Sequence, residues 1–293
     1  MTGLIIRHGG SPNWWLSPDI WVANPPSTSA SPAVANPIAG QTYDVWVRIK
    51  NSTGASISGP PPALAWLLNV VWAIPSAGSI PLSTLPSGDV LNESALLDPI
   101  AGGASVAIKC MNQWTPVYEN GGHECLVAWT NASNIAYPFA PSLEGDAGPG
   151  DNWSIAQHNL GILAAGSSKR HLIRYAFQVC NGADEERGFV IAARQAPLVE
   201  IEAFLPGVPG GRAILDKPGK VERLGIVASA DPSAAELEQA PAELTVKIGR
   251  QSCRRFTLGG MLPEGNALIN VTQSRDERVI GGLSVPAMAD ERK

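Results

Sequence analysis

The stretch Tyr43-Asp-Val-Trp-Val-Arg-Ile-Lys50 alternates between apolar and polar side chains and decides the fold class of this chain. Every odd-numbered residue in it is apolar, whereas the even-numbered positions carry two cations, one carboxylate and one tryptophan. Successive side chains of a strand point to opposite faces, so this period of two predicts a β-strand with one buried face. Trp46 then lies among charged groups on the outward face, where an aromatic ring is expected only if another surface covers it.

Similar short stretches recur along the chain and extend the strand prediction to both halves. Turn clusters such as Ser58-Gly-Pro-Pro-Pro62 separate them, and the chain contains 30 glycines and 25 prolines. Short strands joined by such turns favour antiparallel sandwiches over long helices. One or two helical turns are predicted at 233–239, with Asp231 or Ser233 near the N-cap. The further candidate strands cover residues 67–72, 105–110, 124–129, 155–163, 172–179, 199–205, 244–248 and 267–272.

The two halves of the 293 residues differ in composition, which predicts two domains. All nine tryptophans lie between Trp14 and Trp153, and residues 1–164 carry 4 basic and 10 acidic side chains. Residues 165–293 carry 17 basic and 16 acidic side chains. We therefore predict an all-β protein of two tandem antiparallel immunoglobulin-like β-sandwich domains. Its parts are a Pro-rich N-terminal arm at 1–37, a Trp-rich sandwich at 38–164 and a second sandwich at 165–293.

Several segments of the first half resemble, in the same order, bacterial CARDB-type immunoglobulin-like modules. They are Ser17-Pro-Asp-Ile-Trp-Val22, the strand at 43–51, Val70 to Gly78, Gly121-Gly-His-Glu-Cys-Leu-Val-Ala-Trp129 and Asp151 to Leu160. The resemblance covers residues 15–164 and departs from the family pattern at Trp153 and in the Pro-rich stretch Pro25–Pro37. It implies an immunoglobulin-like fold used as a non-catalytic spacer, adhesion or interaction unit, and it implies that Cys125 packs inside. The second half resembles no family beyond the sandwich pattern.

Composition and motifs exclude several classes of function. A net charge of −5 without a clustered basic patch argues against nucleic-acid binding. The longest apolar stretch, 60–75, is too short for a membrane span. The N-terminus shows no secretory signal, which predicts cytoplasmic synthesis, with release or non-classical export as routes out of the cell. No G-x-S-x-G, phosphate-binding or dinucleotide-binding glycine motif occurs, so we predict no enzyme and no cofactor.

Two clusters carry chemistry-bearing side chains, and each has a structural explanation as well. His123 and Cys125 point the same way in an extended strand and fit a nucleophile with its base, but a buried core position is favoured for Cys125. Asp146, Asp151 and Asn152 lie in a Gly-rich loop and offer oxygen ligands for a cation such as Ca²⁺. Turn-forming hydrogen bonds to the backbone are favoured for these three residues over a metal site.

The candidate partner-binding residues are Trp14, Trp15 and Trp46. Aromatic rings of this kind anchor protein partners when a second surface buries them. The predicted function is therefore that of a structural or interaction protein, a subunit or accessory part of a larger assembly that binds protein partners or itself through apolar surface and sheet edges. The alternative is a carbohydrate-binding or adhesion module that uses exposed tryptophans. A hydrolase with its site in loops is a third, less favoured class.

Two structural expectations concern the core and the cysteines. All four cysteines are expected to be reduced. If Cys110 does form a disulfide, Cys125 is its best partner. The predicted first core comprises Tyr43, Val45, Val47, Ile49, Leu68, Val70, Trp72, Val106, Ile108, Cys125 and Val127.

The contrast in charge between the halves predicts that identical chains pack head to tail, the acidic half of one against basic groups of the next. The arm Met1–Pro37 either adds to a neighbour's edge strand or folds onto its own domain.

Overall fold

The computed structural model is built almost entirely from antiparallel β-strands, which confirms the all-β prediction. The immunoglobulin-like detail stays a prediction, and the predicted boundary at 164/165 lies outside the described residues. The residues that the structure describes are 3–7, 15–34, 37–56, 66–73, 90–96, 98–117, 123–132, 144–145, 148–149, 155–161, 172–204 and 211–288.

The first half forms two antiparallel sheets around a core of its own. Its strands are β1 (Leu4–Ile5), β2 (Ile20–Ala23), β3 (Asp44–Asn51), β4 (Trp66–Ala73), β5 (Val90–Leu96), β6 (Ser105–Lys109), β7 (His123–Ala132), β8 (Glu144–Gly145), β9 (Gly148–Pro149) and β10 (Ile155–Gly161). In one sheet, β3 has β1 and β2 on one flank and β6 on the other. The second sheet has the order β10-β7-β4-β5. Val45, Val47 and Leu68 are among the fully buried residues between them.

The second half repeats this architecture with short helices added. Its elements are β11 (Leu172–Asn181), β12 (Arg187–Gln195), α1 (Leu198–Phe204), α2 (Gly211–Asp216), β13 (Glu222–Val227), α3 (Ala234–Glu238), β14 (Glu243–Ile248), β15 (Ser252–Met261), β16 (Asn266–Arg275) and β17 (Arg278–Met288). Its sheets have the orders β11-β15-β13 and β14-β12-β16-β17. Phe177 and Phe256 stack between them with centroids 5.7 Å apart. A second, separate apolar core results.

Six strands of each half correspond in chain order and in sheet position. The pair β3-β6 matches β11-β15, and the sheet β10-β7-β4-β5 matches β17-β16-β12-β14. The halves differ at the flanks of the smaller sheet. Among the described residues, β1 and β2 pair with one edge of β3, but no strand pairs with the equivalent edge of β11. Conversely, β13 pairs with the outer edge of β15, but no described strand pairs with the equivalent edge of β6.

Two buried asparagines show that the correspondence extends to single hydrogen bonds. Asn51 ends β3, and its Nδ2 donates at 2.8 Å both to the carbonyl of Ala55, four residues later, and to that of Ile100. Asn181 ends β11 and donates to the matching carbonyls, at 2.6 Å to that of Glu185, four residues later, and at 3.0 Å to that of Ile248. Each Oδ1 accepts the N–H of the second residue along, at 2.9 and 3.1 Å. The chain is thus a structural duplication of one sandwich.

A third apolar cluster joins the two halves. It lies between the outward faces of the equivalent sheets β10-β7-β4-β5 and β14-β12-β16-β17, beside α1 and α2. Because burial of apolar surface is the main stabilising force in proteins, this cluster is expected to hold both sandwiches in one body. Its buried members are Trp15, Leu16, Val71, Val127, Trp129, Ile155, Ala196, Ile201, Ile214 and Leu268.

The face of β7 that points into the first core is the opposite of the predicted one. Leu126 and Ala128 point into the first core, while Val127 belongs to the cluster between the halves. Periodicity cannot assign the inner face of such a strand, because both of its faces are buried and apolar. Cys125 is buried, as predicted, but on the alternate face to Leu126, and Val106 is 37% exposed rather than part of the core.

The prediction of a strand at 199–205 is wrong, because α1 covers Leu198–Phe204. The backbone N–H groups of Glu200 and Ile201 bond to the carbonyl of Pro197, a residue that readily starts a helical turn. The helical turn after Ser233 is confirmed as α3, and Ser233 forms a capping box with Glu236.

The N-terminal segment 1–37 is not a separate arm over its described residues. Leu4 and Ile6 are buried in the first core, and β1 and β2 both pair with β3. Of the two outcomes predicted for this segment, its described parts show folding onto the chain's own domain. No described helix is long and apolar enough to cross a bilayer.

The expectation of four reduced cysteines is wrong for one pair. Cys180 and Cys253 are bonded, whereas Cys110 and Cys125 are free and buried. Cys180 and Cys253 lie directly opposite each other on β11 and β15, with Cα atoms 4.0 Å apart, which is a register that the sequence does not reveal.

Thiol counting tests this assignment. Denatured chains kept without reductant are expected to show two titratable thiols per chain, from Cys110 and Cys125, and four after reduction. Four thiols before reduction would contradict the cross-strand bond. A Cys180→Ser/Cys253→Ser variant is the control, because its count should be two under both conditions.

Candidate functional site

Trp15 lies at the centre of the contact between the halves. Its side chain is fully buried, and its Nε1 donates a 2.6 Å hydrogen bond to Oγ of Ser284 on β17. That hydroxyl in turn donates to Oδ1 of Asn270 at 2.6 Å. A Cβ atom placed on Gly282 would lie 2.2 Å from the Trp15 ring, so the ring needs a glycine beneath it. The chain's own second half therefore covers this predicted partner-binding residue, and its binding role stays a prediction.

Trp46 lies on the outward face of β3, as predicted, and its own chain covers most of it. Its ring stacks on Trp21 with centroids 6.1 Å apart, and its Nε1 donates to Oγ of Ser27 at 2.9 Å. Only 9% of Trp46 is exposed. The cover expected over this ring thus comes in part from residues just after β2. A role in binding a partner stays a prediction for Trp46 as well.

A buried carboxylate holds this cover in place. Asp44 accepts hydrogen bonds from Ser27, from Gln113 at 2.9 Å and from Lys109 at 3.2 Å. Burial alone would raise the pKa of Asp44, but the hydrogen bonds from these three residues outweigh it and lower the pKa to about 2. The carboxylate is therefore ionised at neutral pH and fixes the polar groups around Trp46.

A second buried carboxylate orders the far end of the same face. Asp19 accepts from Nε and Nη2 of Arg7 at 2.8 and 2.6 Å, and Arg48 lies 3.4 Å from it. The Arg48 guanidinium also lies 5.1 Å from the centroid of the Trp21 ring, within the range of a cation–π contact. Internal contacts therefore satisfy the aromatic and charged groups of this face.

The edge of β6 is different, because apolar side chains there meet solvent. Val106 is 37% exposed and Met111, just beyond the strand, is 66% exposed. A groove of about 260 Å³ runs beside the strand, lined by apolar residues such as Pro99, Ile100 and Ile108, with the exposed Asp98 at its rim. Among the described residues, β6 pairs with β3 alone, so no described strand bonds to its second row of backbone N–H and C=O groups.

Two candidate chemical features, a reactive thiol and a metal cluster, can be checked over the described residues. Burial raises the pKa of the Cys110 thiol to about 12, which keeps it protonated and unreactive. No group of three or more His, Cys, Asp or Glu side chains that could hold a metal lies within the described ranges. The predicted residues Trp14, Asp146, Asp151 and Asn152 lie outside those ranges, and the side chain of His123 does too, so their roles stay predictions.

His158 has an unusual environment near Trp15. Its Nδ1 donates a 2.7 Å hydrogen bond to the Ser17 carbonyl, beside the bridge between Leu16 and His158 itself. Burial lowers the pKa of His158 to about 4, against the opposing effect of that hydrogen bond. The neutral ring thus anchors the segment that carries Trp15.

This pKa predicts a loss of stability in mild acid. In the unfolded chain His158 becomes protonated near pH 6.5, whereas in the folded chain it becomes protonated only near pH 4. The free energy of unfolding therefore falls as the pH drops from about 6.5 to about 4. The loss is expected to reach about 2–3 kcal/mol. His158→Asn keeps a donor for the Ser17 carbonyl and should make the denaturant midpoint of unfolding less dependent on pH between pH 7 and 4. Equal slopes for wild type and variant would contradict the assignment.

Comparison with known proteins gives no family for this chain. No family model matches it, and no curated protein matches it. Among solved structures, it is similar to the secreted serine protease VesC from Vibrio cholerae, with 9% identity, 87% of this chain and 50% of that chain covered, and a TM-score of 0.24. It is also similar to Escherichia coli alpha-2-macroglobulin activated by porcine elastase, with 10% identity, 92% and 22% covered, and a TM-score of 0.22.

A third likeness is to a serine-rich repeat adhesion glycoprotein from Streptococcus agalactiae, with 8% identity, 93% and 96% covered, and a TM-score of 0.20. The chain spans about half the length of the protease and about a fifth of the macroglobulin. At such TM-scores none of these likenesses carries an argument about function. The CARDB-type resemblance of residues 15–164 stays a prediction.

Sequence reasoning missed the β6 edge as a site. It placed Val106 in the core because Val106 alternates correctly with Ile108, and alternation reports the face of a strand but not whether the strand has a neighbour. It also missed Gly282 and Ser284, since small residues in a strand give no signal until the ring that covers them is known.

Proposed function

We propose that this chain is a non-catalytic structural and interaction protein, a subunit or accessory part of a larger assembly, that binds other protein chains through the edge of β6. The observation that carries the proposal is the coincidence there of an open strand edge, an apolar groove and exposed apolar side chains. An added strand gains main-chain hydrogen bonds along such an edge, and adjacent pockets take up its side chains.

The tryptophans support this function more than the carbohydrate or adhesion alternative. Sugar-binding platforms need rings that face solvent. Trp15, Trp21, Trp46, Trp114 and Trp129 are each 9% exposed or less, so none of these five offers an open platform.

Particle mass in solution tests the proposal, with further copies of the chain as the first protein partner to try. Light scattering from about 1 µM to several hundred µM is expected to show masses above the 30.7 kDa of one chain, rising with concentration. A constant monomer mass over the whole range would contradict binding between copies. If that monomer bound glycans and lost this binding when Trp46 was replaced, the carbohydrate alternative would be favoured.

A further inference from the structure

We infer that the β6 edge of one copy pairs with the β11 edge of a second copy, so that two sheets continue into one across a head-to-tail contact. This inference rests on the proposed function and names both the partner and the surface that meets it. It follows from the duplication of the fold, from the flanks that the duplication leaves open and from the charges beside them.

The duplication shows which flanks are incomplete. In the first half β1 and β2 cover one flank of β3, and Leu4, Ile6, Ile20 and Val22 fill the adjoining core. The matching flank of β11 has no partner among the described residues, because the strand that precedes it, β10, belongs to the first sandwich.

The opposite flank shows the converse arrangement. In the second half β13 pairs along part of β15, whereas the matching flank of β6 is open in the described structure. Within the described ranges, each half therefore lacks a flanking strand that the other half has. One contact between β6 and β11 of two copies supplies both missing neighbours at once.

Charge favours this pairing over contacts between like edges. The half that contains β6 has 10 acidic and 4 basic residues, and Asp98 is exposed at the groove beside the strand. Three exposed arginines lie on β11 and its neighbour β15, namely Arg254, Arg255 and Arg174, of which Arg174 already pairs with Asp231. Lys109, the cation of β6, is already engaged by Asp44 at 3.2 Å. Two copies of the same edge would instead bring like charges together.

The contact is heterologous, because two different surfaces of the chain meet. Such a contact leaves one free β6 and one free β11 at the ends of every dimer, so it either closes into a ring or extends as a filament. Mass is therefore expected to rise beyond the dimer with concentration.

Mixtures of chains that each carry one added surface cysteine test the inference, since the native free thiols of Cys110 and Cys125 are buried. Ala107→Cys places a thiol on the outward face of β6, and Ala176→Cys places one on the outward face of β11, where the native residues are half-buried and small. A short bismaleimide reagent, which tolerates an offset of one rung, is added to each variant alone and to their equimolar mixture. Val199→Cys, at a site 68% exposed on α1, is the matched control.

Cross-linked dimer is expected to be at least fivefold more abundant in the mixture than in either variant alone, and at background in mixtures with the control. Ala107→Cys chains that cross-link with each other would overturn the inference in favour of a symmetric β6 contact. Background cross-linking in all mixtures, when wild type assembles by light scattering, would also overturn it and leave the proposed function standing. A wild type that stays monomeric would overturn the inference and, within the proposed function, the binding between copies.

Discussion

Replacing Trp15 by alanine is expected to lower the free energy of unfolding by about 3–5 kcal/mol and to split the thermal transition into two. The side chain is fully buried between the sandwiches, where its ring covers Gly282 and its Nε1 bonds to Ser284. Its loss leaves a cavity in the contact and a buried Ser284 hydroxyl that keeps its bond to Asn270 but loses its donor. Differential scanning calorimetry measures both effects, since coupled domains unfold together and uncoupled domains unfold separately.

Two further variants separate coupling from simple loss of stability. Trp46→Ala removes a tryptophan that is also largely buried, at 9% exposure, but lies away from the contact, so it should destabilise the first half without releasing the second. Gly282→Ala should be strongly destabilising in wild type and much less so in Trp15→Ala chains, because the three atoms nearest to the added Cβ all belong to the Trp15 ring. Additive effects of Trp15→Ala and Gly282→Ala would contradict the contact.

Replacing Asn51 or Asn181 by alanine is expected to cost about 2–4 kcal/mol in each case. Each side chain is buried and donates to carbonyls from two separate segments, and its removal takes the donor from one buried carbonyl, that of Ile100 or Ile248. Because the two asparagines hold equivalent turns, the two variants should lose similar amounts of stability. Denaturant unfolding with a constant m-value measures the loss.

Asn266→Ala is the matched control for this pair. Asn266 also donates to a backbone carbonyl, that of Ala213 at 2.8 Å, but it does so at the surface, where water can replace the bond. Its loss should cost less than about 1 kcal/mol. If only one of the two buried asparagines proved important, the hydrogen-bond equivalence of the two halves would lose its support.

Local patterns in the sequence predict much of the fold. The alternation in 43–50 correctly predicts β3 and places Trp46 and Arg48 on its outward face. Ser233 with Glu236 predicts the start of α3 because a capping box involves only neighbouring residues. Predictions of this kind succeed because their physical cause is contained within a few residues.

Features that depend on long-range pairing are not predictable in this way. The bond between Cys180 and Cys253 needs the register of β11 on β15, across a separation of 73 residues. The duplication is likewise hidden, because Asn51 and Asn181 lie in segments that share only alternation and a final asparagine. The cover of Trp15 by β17 appears only when the second sandwich is in place.

Hydrogen–deuterium exchange measured at several protein concentrations tests the central claim most directly, which is that this chain assembles through the edges of β6 and β11. The backbone amides of β6 that point away from β3, and those of β11 that point away from β15, are expected to exchange quickly in dilute solution and to become protected together as concentration rises. The edge strand β14, which pairs with β12 alone in the described structure, serves as the internal control and should exchange at one rate throughout. Exchange of β6 and β11 that is independent of concentration would contradict the account.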